Sequence, residues 1–226
     1  MFDAVIVEPN QTADSAVIWL HGLGASGHDF EPAIPLLGLN TATRFIFPHA
    51  PEIPVTVNGG MVMPAWYDIE HLDIERTIDV SGIRASADLV DRIIAAQVAE
   101  GISPSRIVLV GFSQGGAVAL YAGVRTQQPL AGVLALSTYW VGAQDPQLVP
   151  GQSPSGLPIA VHHGTQDPVV PYILGEQAVE SLQALGYPVT FQAFSMPHSV
   201  VPEQLQAIGQ WMASRLTADS QTRSKE

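Results

Sequence analysis

Cysteine is absent from the 226-residue chain, which excludes a thiolate nucleophile, a disulfide framework and a zinc knuckle. Lysine is almost as scarce, with Lys225 in a polar tail as its single occurrence. Schiff-base chemistry, a Ser-Lys dyad and a P-loop each need a lysine in a folded site, so none is expected. Nine Lys and Arg face 21 Asp and Glu, giving a net charge of −12. That balance argues against nucleic acid and anionic membrane surfaces as partners. No apolar run approaches bilayer length, and Leu130 to Leu136 is only strand-sized. The first basic residue is Arg44, so the charged head of a signal peptide is missing. A soluble, cytoplasmic protein without stable membrane insertion is expected.

A hydrophobic content of 46% is ample for one sizeable core. Strand-like runs fall at Ala4–Val7, Ala16–Leu20, Arg44–Phe47, Arg106–Val110, Gly132–Leu136, Pro158–His162 and Val189–Phe194. Asp79 to Glu100 places Ile83, Ala87, Val90, Ile94 and Val98 at three- and four-residue steps, the apolar face of a helix that Gly101 ends. Further helices are expected at Gln114–Val124, Leu174–Leu185 and Glu203–Leu216. This alternation predicts a single α/β domain over 1–216, with a mostly parallel sheet covered on both faces and a polar tail over 217–226. Two stretches interrupt it. One is Ala50 to Ile78, in which Val55 to Met63 reads as a small hairpin closed at Asn58-Gly59. The other is Tyr139 to Gly156, rich in proline, glycine and glutamine. Both fall where strand C-termini open, which makes them candidate walls of a cleft.

Gly111-Phe-Ser-Gln-Gly-Gly116 stands at the junction of a buried strand, Ile107 to Val110, and a helix of small residues. A chance G-x-S-x-G turns up in about one chain in ten of this length, so its context decides the matter. Strand before and small-residue helix after are what a nucleophile elbow requires. Ser113 is then the nucleophile, and it needs a base with a fixed tautomer. On such a sheet the chain order is Ser, then Asp or Glu, then His. The only histidine beyond His163 is His198, in a loop between the strand ending at Phe194 and the last helix. His162 and His163 come too early, and as strand neighbours they point to opposite faces, which also makes them an unsuitable metal pair. Among Asp145, Asp167, Glu176 and Glu180, Asp167 is preferred to Asp145, because it directly follows a strand and Pro168 fixes its loop. Oxyanion donors are expected from the N–H groups of Gln114, after the nucleophile, and Leu23, in Leu20-His-Gly-Leu-Gly-Ala-Ser-Gly27.

L-H-G-L-G-A-S-G, F-P-H-A-P, M-P-A-W-Y-D, G-F-S-Q-G-G, H-G-T-Q-D-P-V-V-P and P-H-S-V occur in that order. In order and spacing they resemble the carboxylesterase and acyl-protein thioesterase (phospholipase/carboxylesterase) family of α/β-hydrolases, from about Ala16 to Leu216. The resemblance implies the α/β-hydrolase fold, the triad Ser113, Asp167 and His198, and oxyanion donors Leu23 and Gln114. Two positions depart from the family pattern. Ala25 stands where an acidic residue is frequent, and Pro197 where glycine or methionine commonly precedes the histidine. Neither alters the triad, while Pro197 bears on the shape of the His198 loop.

The other chemistry-bearing residues have plainer readings. His21 and His49 are expected to bond loop backbone, and His28 and His71 to be solvated. Asp68 to Glu75 lacks calcium-loop spacing and its glycine, so it reads as a solvated acidic loop. Met63 and Trp66, in the cleft-forming segment, and Val169, beside Asp167, are candidates both for the core and for an acyl-binding wall. The expectation is a serine carboxylesterase that cleaves small to medium acyl esters through an acyl-enzyme, as monomer or homodimer, without metal or cofactor. The alternatives are a lysophospholipase, an acyl-protein thioesterase (S-deacylase), or a noncatalytic ligand-binding protein of the same fold. The last is disfavoured because all three triad residue types are present.

Overall fold

The structure is a computed structural model and describes residues 2–70, 77–151 and 156–217. Its centre is a seven-stranded sheet built from β1 (Ala4–Val7), β2 (Ser15–Leu20), β3 (Thr43–Pro48), β6 (Ile107–Phe112), β7 (Gly132–Leu136), β8 (Ile159–Gly164) and β9 (Val189–Phe194). The order across the sheet is β1-β3-β2-β6-β7-β8-β9. Only β1 runs antiparallel, against β3; the remaining pairs are parallel. The seven strands expected from the sequence are these seven, with ends shifted by at most two residues. Arg106 closes a 3₁₀ turn over Pro104–Arg106 and does not begin the strand.

The four central strands carry Val, Ile, Leu and Ala on both faces because both faces are covered. On one side Leu109, Val133, Ala135 and Val161 pack under α1 (Val80–Ala99), α2 (Gln114–Arg125) and α3 (Tyr172–Ala184). On the other, Val108, Val110, Leu134 and Ala160 meet Leu205, Ile208 and Met212 of α4 (Pro202–Leu216). Helix α1 follows from its sequence. The Asp79 carboxylate accepts the Gly82 N–H at 2.9 Å, a cap worth about 1 kcal/mol. Ile83, Ala87, Val90 and Ile94 form the buried stripe, and Gly101 ends it at φ 96°.

The hairpin differs in detail from the expected one. Strands β4 (Glu52–Val55) and β5 (Met61–Pro64) pair from Glu52↔Pro64 to Val55↔Met61. Their connection is a 3₁₀ turn over Thr56–Asn58 followed by two left-handed glycines, Gly59 and Gly60, at φ 68° and 78°. The cause is Asp68, whose carboxylate takes the Thr56 N–H at 2.7 Å together with its hydroxyl and draws residue 56 into a helical turn. Asp68, half-buried at the start of the expected solvated acidic loop, thus also clamps the hairpin turn, while Glu70 is exposed. His71, Asp73 and Glu75 lie outside the described residues, as do most of the tail and Lys225.

Candidate active site

Ser113 sits between β6 and α2 at φ 54°, ψ −120°, a conformation that costs a non-glycine residue about 1–3 kcal/mol. The motif's glycines are what let the turn close. A Cβ on Gly111 would lie 2.1 Å from the Gly115 carbonyl oxygen, and one on Gly115 would lie 2.4 Å from that of His21. Further bonds hold the strained residue. Its N–H donates to the Leu136 carbonyl at 2.8 Å, and the Thr138 hydroxyl donates to its carbonyl at 2.6 Å. The head of α2 is fixed by the Gln114 side chain, which accepts the Trp66 N–H at 2.9 Å and donates to the Tyr67 carbonyl at 2.7 Å. This clamp is invisible in the sequence, because the two segments it joins are nearly fifty residues apart.

Asp167 and His198 meet where β8 and β9 end. Gly164 makes the meeting possible, since a Cβ there would lie 2.4 Å from the Met196 carbonyl oxygen and 2.7 Å from that of Pro197. The Gln166 N–H donates to the Met196 carbonyl at 3.1 Å, stitching the two loops together. Asp167 divides its oxygens. Oδ1 accepts the N–H groups of Val169 and Val170 at 2.9 and 2.8 Å, and Oδ2 accepts His198 Nδ1–H at 2.6 Å. Burial opposes ionisation of this side chain, but the His198 bond and the two backbone N–H groups outweigh it and hold the carboxyl below its usual range. With the proton of His198 on Nδ1, its Nε2 keeps a free lone pair. The imidazole packs 4.8 Å from the Phe112 ring, next to Ser113 in sequence.

Ser113, His198, Leu23 and Gln114 line one cavity of about 440 Å³. Gly24 and Ala25 donate their N–H groups to the carbonyls of Pro64 and Gly22, which leaves Leu23 N–H free. Gln114 N–H is one of the orphan donors at the head of α2. Among the described residues neither N–H has an acceptor, so both are available to an oxyanion. Asp145, the rejected alternative, is held elsewhere. It accepts from Arg84, Tyr121 and the Gln147 N–H, and these bonds, led by Arg84, keep it far below the usual carboxylate range.

The acyl-wall candidates separate. Val169 lines the cavity. Trp66 does not: it is buried in the core, its indole N–H donates to the His21 carbonyl at 2.8 Å, and its outer edge borders a different groove. Met63 is also off the cavity wall, with its sulfur beside Gly24. The reason is the hairpin register, which turns β5 toward the oxyanion loop. The apolar wall is supplied by Phe30, Ile69, Phe112, Tyr139 and Val200. Phe112 was the readable one, as the neighbour of the nucleophile; the rest come from separate loops with no common spacing. His21 and His49 bond loop backbone: His21 accepts the Ala50 N–H at 3.1 Å, and His49 that of Gly27 at 3.1 Å. Burial lowers the pKa of His21 and so favours its neutral form. His28 is exposed against Glu31.

The seven-stranded sheet with one antiparallel edge strand, the serine elbow, the following acid and the late histidine together define an α/β-hydrolase. The chain belongs to the phospholipase/carboxylesterase family, whose model matches residues 1–215. It is 38% identical to acyl-protein thioesterase 1 of Cryptococcus neoformans over 93% of this chain and 96% of the relative. Identity to acyl-protein thioesterase 1 of Gibberella zeae is 37%, over 94% and 96% of the two chains. The crystal structure of Zea mays acyl-protein thioesterase 2 superposes with a TM-score of 0.85 at 29% identity, over 96% of this chain and 100% of that one.

Proposed function

We propose that the protein hydrolyses acyl esters and thioesters through an acyl-enzyme on Ser113. The observation that carries this reading is the 2.6 Å bond from His198 Nδ1 to the buried Asp167, with His198 lining the same cavity as Ser113. In the first step His198 Nε2 takes the Ser113 hydroxyl proton as the oxygen attacks the acyl carbonyl. Leu23 and Gln114 N–H groups receive the developing oxyanion. The imidazolium then protonates the leaving alkoxide or thiolate. Water repeats the sequence on the acyl-enzyme, with His198 again as base, and releases the acid. Asp167 holds the tautomer throughout and stabilises the imidazolium.

The cavity falls within the ordinary range for small-molecule sites and is walled by apolar side chains, which suits short to medium acyl chains. Each methylene it accepts contributes about 0.8 kcal/mol, or about fourfold in kcat/KM. The relatives named acyl-protein thioesterase favour a second substrate class, an S-acylated protein presenting its thioester at the same mouth. Among the described residues no helix is long and apolar enough to cross a membrane. We place the enzyme in the cytoplasm, as monomer or homodimer, acting on substrates that need no lipid interface. Initial rates over a graded series of matched esters and thioesters, below and above each solubility limit, test this. A rise with chain length to a maximum is expected; a jump only when an interface forms would overturn it.

A further inference from the structure

His163 is the penultimate residue of β8, four residues before Asp167, and is fully buried on the α3 side of the sheet. Its Nε2 lies 2.9 Å from the Val170 carbonyl oxygen. A carbonyl only accepts, so the ring proton is on Nε2 and that atom is the donor. Nδ1 carries the lone pair and has no hydrogen-bond partner among the described residues. Helix α3 packs straight onto the ring: a Cβ on Gly175 would lie 2.4 Å from Nδ1. The Tyr172 ring meets the imidazole edge-on at 5.9 Å. The side chain is thus locked in one rotamer and one tautomer.

What it holds matters for the site. The Val170 N–H donates to Asp167 Oδ1 at 2.8 Å, while the Val170 carbonyl accepts from His163. One residue of the 167–170 turn is therefore gripped on both sides, by the carboxylate whose direction must be set and by a ring fixed in the core. Asp167 Oδ2 lies 3.7 Å from His163 Nε2, too far for a hydrogen bond, and so is left to His198. Without the His163 donor the Val170 carbonyl loses its anchor. Then the turn can rotate, and Oδ2 moves relative to His198 Nδ1.

We propose that His163 is a positioning residue: by anchoring the Val170 carbonyl it fixes the turn that aims Asp167 at His198. This rests on the reading of Ser113, Asp167 and His198 as a triad. The test compares His163→Gln, whose amide nitrogen reaches the place of Nε2, with His163→Asn, whose shorter amide does not. The readouts are kcat and KM on a soluble acyl ester, the low-field proton resonance of His198 Nδ1–H, and the thermal midpoint. In the Asn variant kcat should fall about tenfold or more, with KM little changed, because small misplacements of catalytic groups are costly. Its low-field resonance should broaden or vanish, while the Gln variant recovers both. Should the Asn variant fail to fold, His163→Phe fills the ring's volume without a donor and is scored in the same way. A folded Asn or Phe variant with parental kcat and resonance overturns the proposal, as does equal loss in the Gln and Asn variants. Asp167→Asn, run alongside, separates the two claims: if it too is fully active, the triad reading has failed; if it is inactive while His163→Asn is active, only the role of His163 has.

Discussion

Replacing Asp167 by asparagine changes one atom of the site and leaves the fold a way to stay intact. The asparagine oxygen can keep the two backbone bonds that Oδ1 now makes to Val169 and Val170, at 2.9 and 2.8 Å. The amide nitrogen then takes the place of Oδ2, opposite His198 Nδ1 at the present 2.6 Å contact. Two donors face each other there. The imidazole escapes by moving its proton to Nε2, the atom that must accept from Ser113. Loss of a triad carboxylate by this route costs about 10⁴ in kcat, or about 5 kcal/mol of transition-state stabilisation. Asp145→Asn is the control. It weakens a cluster with Arg84 and Tyr121 that ties the 141–151 loop to α1 and α2, away from the cavity. Its effect should appear as a lowered denaturation midpoint with the rate nearly unchanged. Initial rates on a soluble ester and urea denaturation, measured on both variants, decide the matter. If Asp145→Asn loses the rate and Asp167→Asn keeps it, the assignment of the orienting carboxylate is wrong.

Two other outcomes follow from the packing around the site. Gly164→Ala places a methyl against the carbonyls of Met196 and Pro197, so the Asp167 and His198 loops must part; kcat should fall at least about tenfold, and a parental rate in ester hydrolysis refutes that account. Burial pushes the pKa of His162 down to about 4. The unfolded chain then takes up this proton near pH 6.5 and the folded protein only near 4, so stability falls as pH drops through that window, by about 3 kcal/mol in all. His162→Phe keeps a ring against Phe194 and has nothing to titrate, so urea denaturation at pH 7 and pH 4 should show a smaller acid loss than in the parent. Equal losses in the two proteins would contradict this.

Much of the fold was legible because its signals are local. Buried parallel strands are short apolar runs, as in Ile107 to Val110, and α1 shows its stripe, its Asp79 cap and its Gly101 stop within one segment. The positions of Ser113, Asp167 and His198 were readable for a related reason: each sits just beyond a strand, in an order fixed by the sheet's topology. What stayed hidden depends on contacts between distant segments. The Thr56–Asp68 bond sets the hairpin's register, and that register carries Trp66 into the core and Met63 toward Gly24, off the cavity wall. Phe30, Ile69 and Val200 reach the cavity from three separate loops, and no periodicity in the chain marks them. The grip of His163 on Val170 is of the same kind, since a buried histidine on a strand looks the same in sequence whatever it holds.

The central claim is that Ser113, held at φ 54°, is the nucleophile, in a cavity shared with two N–H groups that have no acceptor among the described residues. Its most direct test is intact-protein and peptide mass spectrometry after reaction with a fluorophosphonate. One adduct on the peptide containing Ser113 is expected, with activity lost in proportion to labelling and neither adduct nor activity in Ser113→Ala. An active Ser113→Ala protein that still takes the label elsewhere would contradict the account.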